Sequence, residues 1–236
     1  VAPPPPVAAL PCRDIENLEK DLIDAVGEFK ADIVGITATS GTYQLGLKCS
    51  RFIKKRYRDI TVVFGGIHPT ICPEEVISED SVDIVCIGEG EDALLELCEA
   101  MEEKRPLFGI RNLWLKDRNK PGVIYKNPLR PLKNLDTLPP QDFSDFHEYE
   151  FYRPLDGNIY KMLNTEISRG CIFKCYYCTN HFLHDLFKGI GDYHRKKDPE
   201  IAVRHLRELK DRYRFNAVRF WDEDFTVFPV GYLEEL

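Results

Sequence analysis

The 236-residue sequence has no long hydrophobic run, no stripe of basic residues and only two methionines and two tryptophans. No apolar stretch approaches the roughly 20 residues that a membrane-spanning helix needs, and the N-terminus lacks the basic start and apolar core of a signal peptide. The 32 Lys and Arg residues are scattered among 39 Asp and Glu residues, which does not favour nucleic acid as a partner. With 43% apolar residues, the chain is expected to be a cytoplasmic globular protein.

The eight cysteines are unevenly distributed. In a chain without a secretory signal the thiols stay reduced, so their spacing is more informative than their number. Five of them are far apart and are interpreted as small buried hydrophobic residues, namely Cys12, Cys49, Cys72, Cys86 and Cys98. The other three, Cys171, Cys175 and Cys178, are clustered more closely than burial requires.

Helix and strand patterns alternate along the first half of the chain. A proline-rich start, Val1–Pro11, favours an extended linker, and a helical pattern begins at Asp14. Short apolar runs typical of buried strands follow at 32–38, 61–64 and 82–87, and a proline-bounded loop precedes the third run. The predicted amphipathic helices around these runs have apolar faces that include Phe29, Leu45 and Leu94. This alternation predicts an α/β fold, a doubly wound, Rossmann-like parallel sheet with helices on both faces.

The pattern predicts two domains. The first covers residues 1–126 and ends in a hairpin, Leu113–Leu115 with Val123–Tyr125. A proline-rich and aromatic stretch, 127–160, is predicted to be an ordered linker. The second domain covers residues 161–236.

The second domain reads as strand, loop, helix and strand. The strands are predicted at Leu163–Ser168 and Ala217–Trp221, and the helix between them begins with Asp198 as N-cap and Pro199 as its first residue. Two strands cannot close a βα barrel. The sequence therefore predicts a fragment that lacks most of a C-terminal domain.

The three clustered cysteines are spaced as CxxxCxxC on a loop after a predicted strand, so they can converge on one metal centre. Soft thiolates select iron-sulfur clusters or zinc. A structural zinc site needs four protein ligands, and His181 or His184 could complete it. A cubane held by only three cysteines would leave one iron free to bind a substrate or cofactor.

The cysteine loop, Ser168–Asn180, resembles the signature of radical S-adenosylmethionine (SAM) enzymes, with the aromatic Tyr177 before the last cysteine. Three upstream segments resemble the cobalamin (B12)-binding domain that precedes the radical SAM barrel in one subgroup of these enzymes: Phe64–Thr70, Pro73–Glu75 and Asp83–Glu91. The resemblance extends from Ala31 to the C-terminus. It implies a B12-binding domain followed by the start of a radical SAM (β/α) partial barrel.

The resemblance implies a 4Fe-4S cluster, SAM and cobalamin as cofactors. In the family, SAM binds the open iron and is cleaved reductively, so a reductant such as flavodoxin or ferredoxin is implied. The radical then abstracts a hydrogen from an unactivated carbon. The reaction expected first is methyl transfer from methylcobalamin to a small-molecule substrate, although some relatives cyclise or rearrange their substrates.

Carried over by position, Cys171, Cys175 and Cys178 are the cluster ligands, and Tyr177 packs near the adenine of SAM. Three acidic residues follow the second barrel strand, where barrel sites are built, and are expected to contact the SAM ammonium: Asp222, Glu223 and Asp224. They replace the family's GGE-type motif. Arg195 resembles a position that helps to hold SAM. Each assignment has an alternative. Tyr177 could instead be an aromatic residue of the core, residues 222–224 a solvated acidic turn, and Arg195 a basic residue on the surface.

Ligands of open α/β sheets bind beyond the carboxyl ends of the strands. The predicted cobalamin residues at that edge are Thr37, Ser40, Gly65, Gly66, His68, Gly88 and Glu89. The sequence contains no DxHxxG motif, so either the strand bearing that loop is missing or the cobalt has no histidine below it. His68 is expected to shape its loop. Two rival hypotheses are a zinc-binding sensor of a small ligand and a degenerate chain that binds cofactors without catalysis.

Overall fold

The structure, a computed structural model, describes residues 17–236. The predicted linker Val1–Pro11 and the predicted helix start at Asp14 lie outside the described residues. The described chain forms two compact units, one ending at Arg130 and the other beginning at Pro131. Between residues 17 and 236, no helix is both long enough and apolar enough to cross a membrane.

The N-terminal unit alternates helices and strands in the predicted order. Its elements are α1 (Leu18–Phe29), β1 (Ile33–Thr37), α2 (Tyr43–Arg56), β2 (Thr61–Gly65), α3 (Ile67–Ile71), α4 (Pro73–Ser78), β3 (Ile84–Cys86), α5 (Glu91–Glu102), β4 (Leu113–Lys116) and β5 (Ile124–Lys126). Strands β1, β2 and β3 are parallel neighbours, and β4 and β5 add the predicted hairpin in antiparallel orientation. The sheet is thus parallel-rich but mixed, and the α/β class is confirmed.

Helices cover both faces of this sheet. On β2, Val63 packs in one cluster with Leu97 of α5, whereas the ring of Phe64 lies 6.3 Å from that of Tyr43 on α2. Because successive residues of a strand point to opposite faces, α2 and α5 lie on opposite sides of the sheet. The Rossmann-like architecture predicted from the alternation is therefore confirmed.

Some predicted helix faces are wrong. Phe29, Leu45 and Leu94 were expected to face the core, but all three are exposed. In α5 the buried positions are Ala93, Leu97 and Ala100, which pack in one cluster with Val63 and Ile84 of the sheet. Two further corrections are that Cys98, expected to be buried, is exposed and that the loop expected between β2 and β3 forms the short helices α3 and α4.

The C-terminal unit contains the predicted strand, loop, helix and strand. Its elements are β6 (Tyr152–Leu155), β7 (Asn158–Thr165), β8 (Ser168–Arg169), α6 (Asn180–Leu186), β9 (Arg195–Lys196), α7 (Pro199–Tyr213), β10 (Ala217–Phe220) and α8 (Val230–Glu235). Strands β7 and β10 are parallel, β6 pairs antiparallel with β7, and β8 pairs with β9. The Asp198 carboxylate accepts the backbone N–H of Glu200 at 2.9 Å, which confirms the predicted N-cap.

The stretch that follows Arg130 is packed into the C-terminal unit, whereas the sequence predicted a linker over 127–160. The ring of Phe143 lies 5.6 Å from that of Tyr213 and 6.2 Å from that of Phe215. The Thr165 hydroxyl donates to the side-chain oxygen of Gln141 at 2.8 Å. Phe143 and Phe151 are half-buried and pack against Leu209 of α7 and Phe215, which removes part of their apolar ring surface from water.

Candidate functional site

The three clustered cysteines lie on one loop between β8 and α6, and all three are free thiols. Cys171 is buried, Cys178 is half-buried and Cys175 is exposed. The loop starts at Gly170, whose φ of 82° is left-handed and where a Cβ would overlap the carbonyl oxygen of Tyr193. Only a glycine fits this φ and this close contact. Gly170 therefore allows the chain to pass the Tyr193 backbone directly before Cys171.

The cysteine sulfurs are not gathered as tightly as a single ion requires. Among residues 17–236, the His, Cys and carboxylate side chains whose ligand atoms all lie within 4.8 Å of one another are His68, Cys72 and Glu75. The three cysteines of the loop do not meet this distance. A tetrahedral zinc ion with bonds of about 2.3 Å holds its sulfurs roughly 3.8 Å apart. The loop, as it stands, is therefore more open than a zinc site.

A polar pair lies behind the cysteine loop. The Asn180 amide nitrogen lies 3.6 Å from Cys178 Sγ, and the Tyr193 hydroxyl donates to the Asn180 side-chain oxygen. Burial raises the pKa of Tyr193, and the nearby Glu223 raises it further. His184, a candidate fourth ligand, instead packs its ring 4.8 Å from that of Tyr193, while His181 is exposed. Sequence reasoning missed Asn180, whose only signal was a polar residue two positions after the last cysteine.

The outer side of the loop is unusually apolar and exposed. Tyr177 is 91% exposed and Tyr176 is 95% exposed, so the alternative of a core aromatic at Tyr177 is wrong. The neighbouring Cys175 raises the pKa of the Tyr177 phenol. An aromatic ring held beside the cysteines and open to solvent is available to stack on a planar ligand.

The three acidic residues after β10 have different roles in the structure. Asp222 accepts the backbone N–H of Ile167 at 3.2 Å and the hydroxyl of Ser168, and so ties β8 to the end of β10. Asp224 accepts the backbone N–H of Thr226 at 3.0 Å and caps a short 3-10 helix. Two of the three carboxylates thus hold the local backbone.

Glu223 is the acidic residue that faces the cysteine loop. Partial burial raises the pKa of its carboxyl group, and the backbone N–H of Gly170 is close enough to oppose that rise. Gly170 precedes Cys171 directly. Arg195 lies on the neighbouring strand β9, half-buried, and donates to the carbonyl oxygen of Lys133 at 2.6 Å, so it is not a free surface cation.

In the N-terminal unit, the loops after β1 and β2 meet at the carboxyl edge of the sheet. Thr37 and Gly65 are register partners, and the Ala38 N–H donates to the Gly65 carbonyl oxygen at 2.9 Å. Gly66 has a φ of 92°, and a Cβ there would lie 2.6 Å from Thr37 Oγ1. The double glycine therefore lets the two loops pack against each other without a side chain between them.

Thr70 joins this edge to the loop after β3. Its hydroxyl donates to the Gly66 carbonyl oxygen at 2.8 Å and accepts the backbone N–H of Gly88 at 3.0 Å. The Asn112 amide donates to the Glu89 carbonyl oxygen at 2.7 Å. The fold thus brings the predicted cobalamin residues to one sheet edge. Sequence reasoning missed Thr70 and Asn112, which hold that edge in place.

His68 is buried where the loop after β2 turns into α3. Its Nδ1 lies 3.1 Å from Ser40 Oγ, and its ring centroid lies 4.1 Å from that of Tyr43. These contacts engage one ring nitrogen and one ring face. His68 is thus held in place by Ser40, from the loop between β1 and α2, and by Tyr43 of α2.

Two open cavities lie elsewhere in the described chain. One of about 520 Å³ in the N-terminal unit borders Thr61 and Asp83, which stand where β2 and β3 begin. The other, of about 1150 Å³ in the C-terminal unit, is bordered by Lys161, Leu206 and Phe215. No residue predicted to bind a cofactor borders either of these two cavities. The predicted residues lie instead on a sheet edge and an exposed loop.

Residues 10–98 match the B12 binding domain family. This chain contains a B12 binding domain. All seven residues predicted for cobalamin lie within the matched range, from Thr37 to Glu89, whereas the cysteine loop lies outside it. The domain match therefore covers the sheet from β1 to β3 and most of α5.

The chain aligns with part of several longer relatives. The chain is 31% identical over 209 residues to an uncharacterized methyltransferase of Pyrococcus horikoshii, covering 88% of the chain and 43% of the relative. It is 26% identical to the anaerobic magnesium-protoporphyrin IX monomethyl ester cyclase of Rubrivivax gelatinosus, covering 92% of the chain and 38% of the relative. The chain thus spans less than half the length of these two relatives.

Two solved structures share the fold of the B12 binding domain and of the unit that follows it. The radical SAM methyltransferase TsrM of Kitasatospora setae superposes with a TM-score of 0.66 at 15% identity, over 93% of this chain and 42% of that protein. The cobalamin-dependent SAM radical enzyme OxsB superposes with a TM-score of 0.66 at 18% identity, over 88% of this chain and 27% of that protein. At these identities the likeness concerns the fold alone.

Proposed function

We propose that this chain is the cobalamin-binding and cluster-binding part of a radical SAM enzyme that methylates an unactivated carbon of a small molecule. The observation that carries the proposal is the joint presence of a B12 binding domain and a CxxxCxxC loop in one chain. Relatives named methyltransferases support methyl transfer. The relatives named cyclases favour ring closure as the second candidate reaction.

Cys171, Cys175 and Cys178 would hold a 4Fe-4S cluster. Thiolates are the usual ligands of such clusters, and the open spacing of the three sulfurs suits a cluster better than one zinc ion. When bound, the cluster supplies the electron that cleaves SAM, drawn from a donor such as flavodoxin or ferredoxin. The chain contributes three thiolates and leaves a fourth iron without a protein ligand.

SAM would be positioned by the residues around the loop. We assign Glu223, which lies beside Gly170 at the start of the cysteine loop, to the SAM ammonium. The other two carboxylates already have local roles, because Asp222 ties β8 to the end of β10 and Asp224 caps a 3-10 helix. Tyr177 offers an exposed ring for the adenine. Arg195 would act indirectly, because its guanidinium holds the backbone at Lys133.

Cobalamin would lie at the carboxyl edge of the B12 binding domain. Gly65 and Gly66 expose backbone there for a large ligand to approach. The sequence has no DxHxxG motif, the motif that supplies a histidine ligand to cobalt in other B12 proteins. We therefore expect cobalt to be bound without a histidine ligand from this domain.

The proposal is tested by anaerobic reconstitution with iron and sulfide, followed by metal analysis and EPR of the dithionite-reduced protein with and without SAM. A reduced cubane signal that SAM perturbs is expected. Cys175→Ala should abolish it, whereas Cys98→Ala, which removes an exposed thiol from the other unit, should leave it intact. Stoichiometric zinc that is lost in Cys175→Ala, without a cubane signal, would overturn the enzyme and favour the zinc-binding sensor.

Cobalamin binding is tested separately by visible absorption after incubation with hydroxocobalamin and gel filtration. The expected spectrum is that of cobalamin without a nitrogen ligand from the protein, and it should be the same in His68→Ala. Product analysis by mass spectrometry then separates the two reactions, because methyl transfer adds one methyl group and ring closure does not.

A further inference from the structure

We propose a second metal site in the B12 binding domain, formed by His68, Cys72 and Glu75 and suited to a borderline divalent cation such as Zn²⁺. One ligand atom from each side chain lies within 4.8 Å of the other two. The set combines imidazole nitrogen, thiolate sulfur and carboxylate oxygen, the donors that zinc accepts. This site is separate from the cysteine loop, and its imidazole ligand, His68, is also one of the residues predicted for cobalamin.

His68 has the hydrogen bonding of a metal ligand. A histidine that binds metal through one ring nitrogen generally donates the other ring N–H to a neighbour. Here Nδ1 lies 3.1 Å from Ser40 Oγ, so an N–H at Nδ1 leaves the lone pair at Nε2. Ser40 thereby sets the tautomer that a cation requires.

The Nε2 atom of His68 is buried and lacks a compensating contact. His68 is only 8% exposed, and Nε2 has no hydrogen-bond partner among residues 17–236. The closest carboxylate oxygen, on Glu75, is 3.9 Å away, beyond hydrogen-bond range. A buried polar atom without a partner is costly, and a cation between Nε2 and Glu75 would remove that cost.

The local backbone brings the other two ligands to the same side. The Cys72 N–H donates to the His68 carbonyl oxygen at 2.9 Å, which places the thiol one turn after the imidazole. Glu75 follows in the first turn of α4, opened by Pro73. Because Glu75 is exposed, its side chain is free to close the remaining distance. Three protein ligands leave one coordination position for water.

The test uses the chain with Cys171, Cys175 and Cys178 all replaced by alanine, so that the cysteine loop cannot bind metal. Anaerobic titration with Co²⁺ should reach one ion per chain and produce a sulfur-to-cobalt charge-transfer band. Added Zn²⁺ should displace the Co²⁺ and remove this band. Cys72→Ala should abolish the band. Cys49→Ala, which removes a half-buried thiol on α2, should retain it.

Second variants keep the test decisive if Cys72→Ala fails to fold. Glu75→Gln alters an exposed side chain and should weaken Co²⁺ binding at least tenfold, and Ser40→Ala should weaken it about 10- to 100-fold by freeing the tautomer. Circular dichroism checks that each variant is folded. Absence of stoichiometric Co²⁺ from the parent, or binding unchanged in the folded Cys72 and Glu75 variants, would overturn the proposal.

Discussion

The side-chain amide nitrogen of Asn180 lies 3.6 Å from Cys178 Sγ, and the hydroxyl of Tyr193 donates to the oxygen of the same amide. The hydrogen bond from Tyr193 determines which end of the Asn180 amide faces the sulfur. Because an amide has one acceptor end and one donor end, a Tyr193 donor on the oxygen turns the NH₂ group toward the sulfur. Cys178 thus receives a donor that is itself oriented by the half-buried Tyr193.

An N–H donor to a thiolate stabilises the more negative, reduced state of a bound cluster and so raises its potential. Asn180→Leu is expected to lower the cluster midpoint by on the order of tens of millivolts, given that a tenfold change in a one-electron equilibrium is about 59 mV. EPR-monitored redox titration measures it. The exposed neighbour on the same helix provides the control, His181→Ala, and an unchanged midpoint in the Asn180 variant would contradict the prediction.

Tyr193→Phe should produce a smaller shift in the same direction. It removes the hydroxyl that orients the Asn180 amide but leaves the amide present. The cluster content of both variants is measured by iron and sulfide analysis. If Tyr193→Phe shifts the midpoint and Asn180→Leu does not, the donor to the sulfur is not Asn180.

Gly66→Ala is expected to destabilise the N-terminal unit by about 1–3 kcal/mol, because its left-handed φ strains an alanine and the new Cβ would lie 2.6 Å from Thr37 Oγ1. Gly35→Ala is the matched control, since a Cβ on that strand residue meets nothing within 4 Å. Urea unfolding is followed by the fluorescence of Trp114 in a Trp221→Phe background, which reports on this unit. Equal losses of stability in both variants would be inconsistent with the close approach at Gly66.

Acidification should destabilise the C-terminal unit through His205. Burial lowers the pKa of this histidine below its ordinary 6.5, and the neighbouring Lys197 and Arg204 lower it further. Between the lowered pKa and 6.5 the unfolded chain binds more protons than the folded chain, so stability falls as pH decreases through that window.

His205→Leu should therefore flatten the dependence of the free energy of unfolding on pH below the ordinary value of 6.5. Trp221 fluorescence in a Trp114→Phe background follows the unit that carries His205. The control is His147→Gln, since His147 is exposed. A slope that remains the same in His205→Leu would show that other groups cause the acid sensitivity.

Phe143→Ala is expected to destabilise the C-terminal unit by about 2–4 kcal/mol, within the range for removing a packed aromatic ring. Its ring contacts those of Phe151, Tyr213 and Phe215. Limited proteolysis should then cut within 131–160 faster than in the parent. Phe146→Ala, at a residue that is 52% exposed, should have the smaller effect. Unchanged cleavage would mean that this stretch behaves as the separate linker predicted from sequence.

Features encoded within a few consecutive residues were predictable. The N-cap at Asp198 and the hairpin of β4 and β5 depend on short-range chemistry, and both are present. Helix faces were less predictable, as Leu94 demonstrates. Its spacing fits an apolar face, but α5 packs on the sheet through Ala93, Leu97 and Ala100, and Leu94 lies outside that buried face.

By itself the sequence determined the spacing of Cys171, Cys175 and Cys178 on one loop and the glycines at the sheet edge, because these follow from neighbouring residues and backbone freedom. Only the tertiary structure decided that Glu223 faces the cysteine loop, that Asn180 donates to Cys178 and that residues after Arg130 pack with α7. Such relations depend on which distant elements pack together. The packing of distant elements is determined by the burial of the whole core, and no local sequence pattern specifies it.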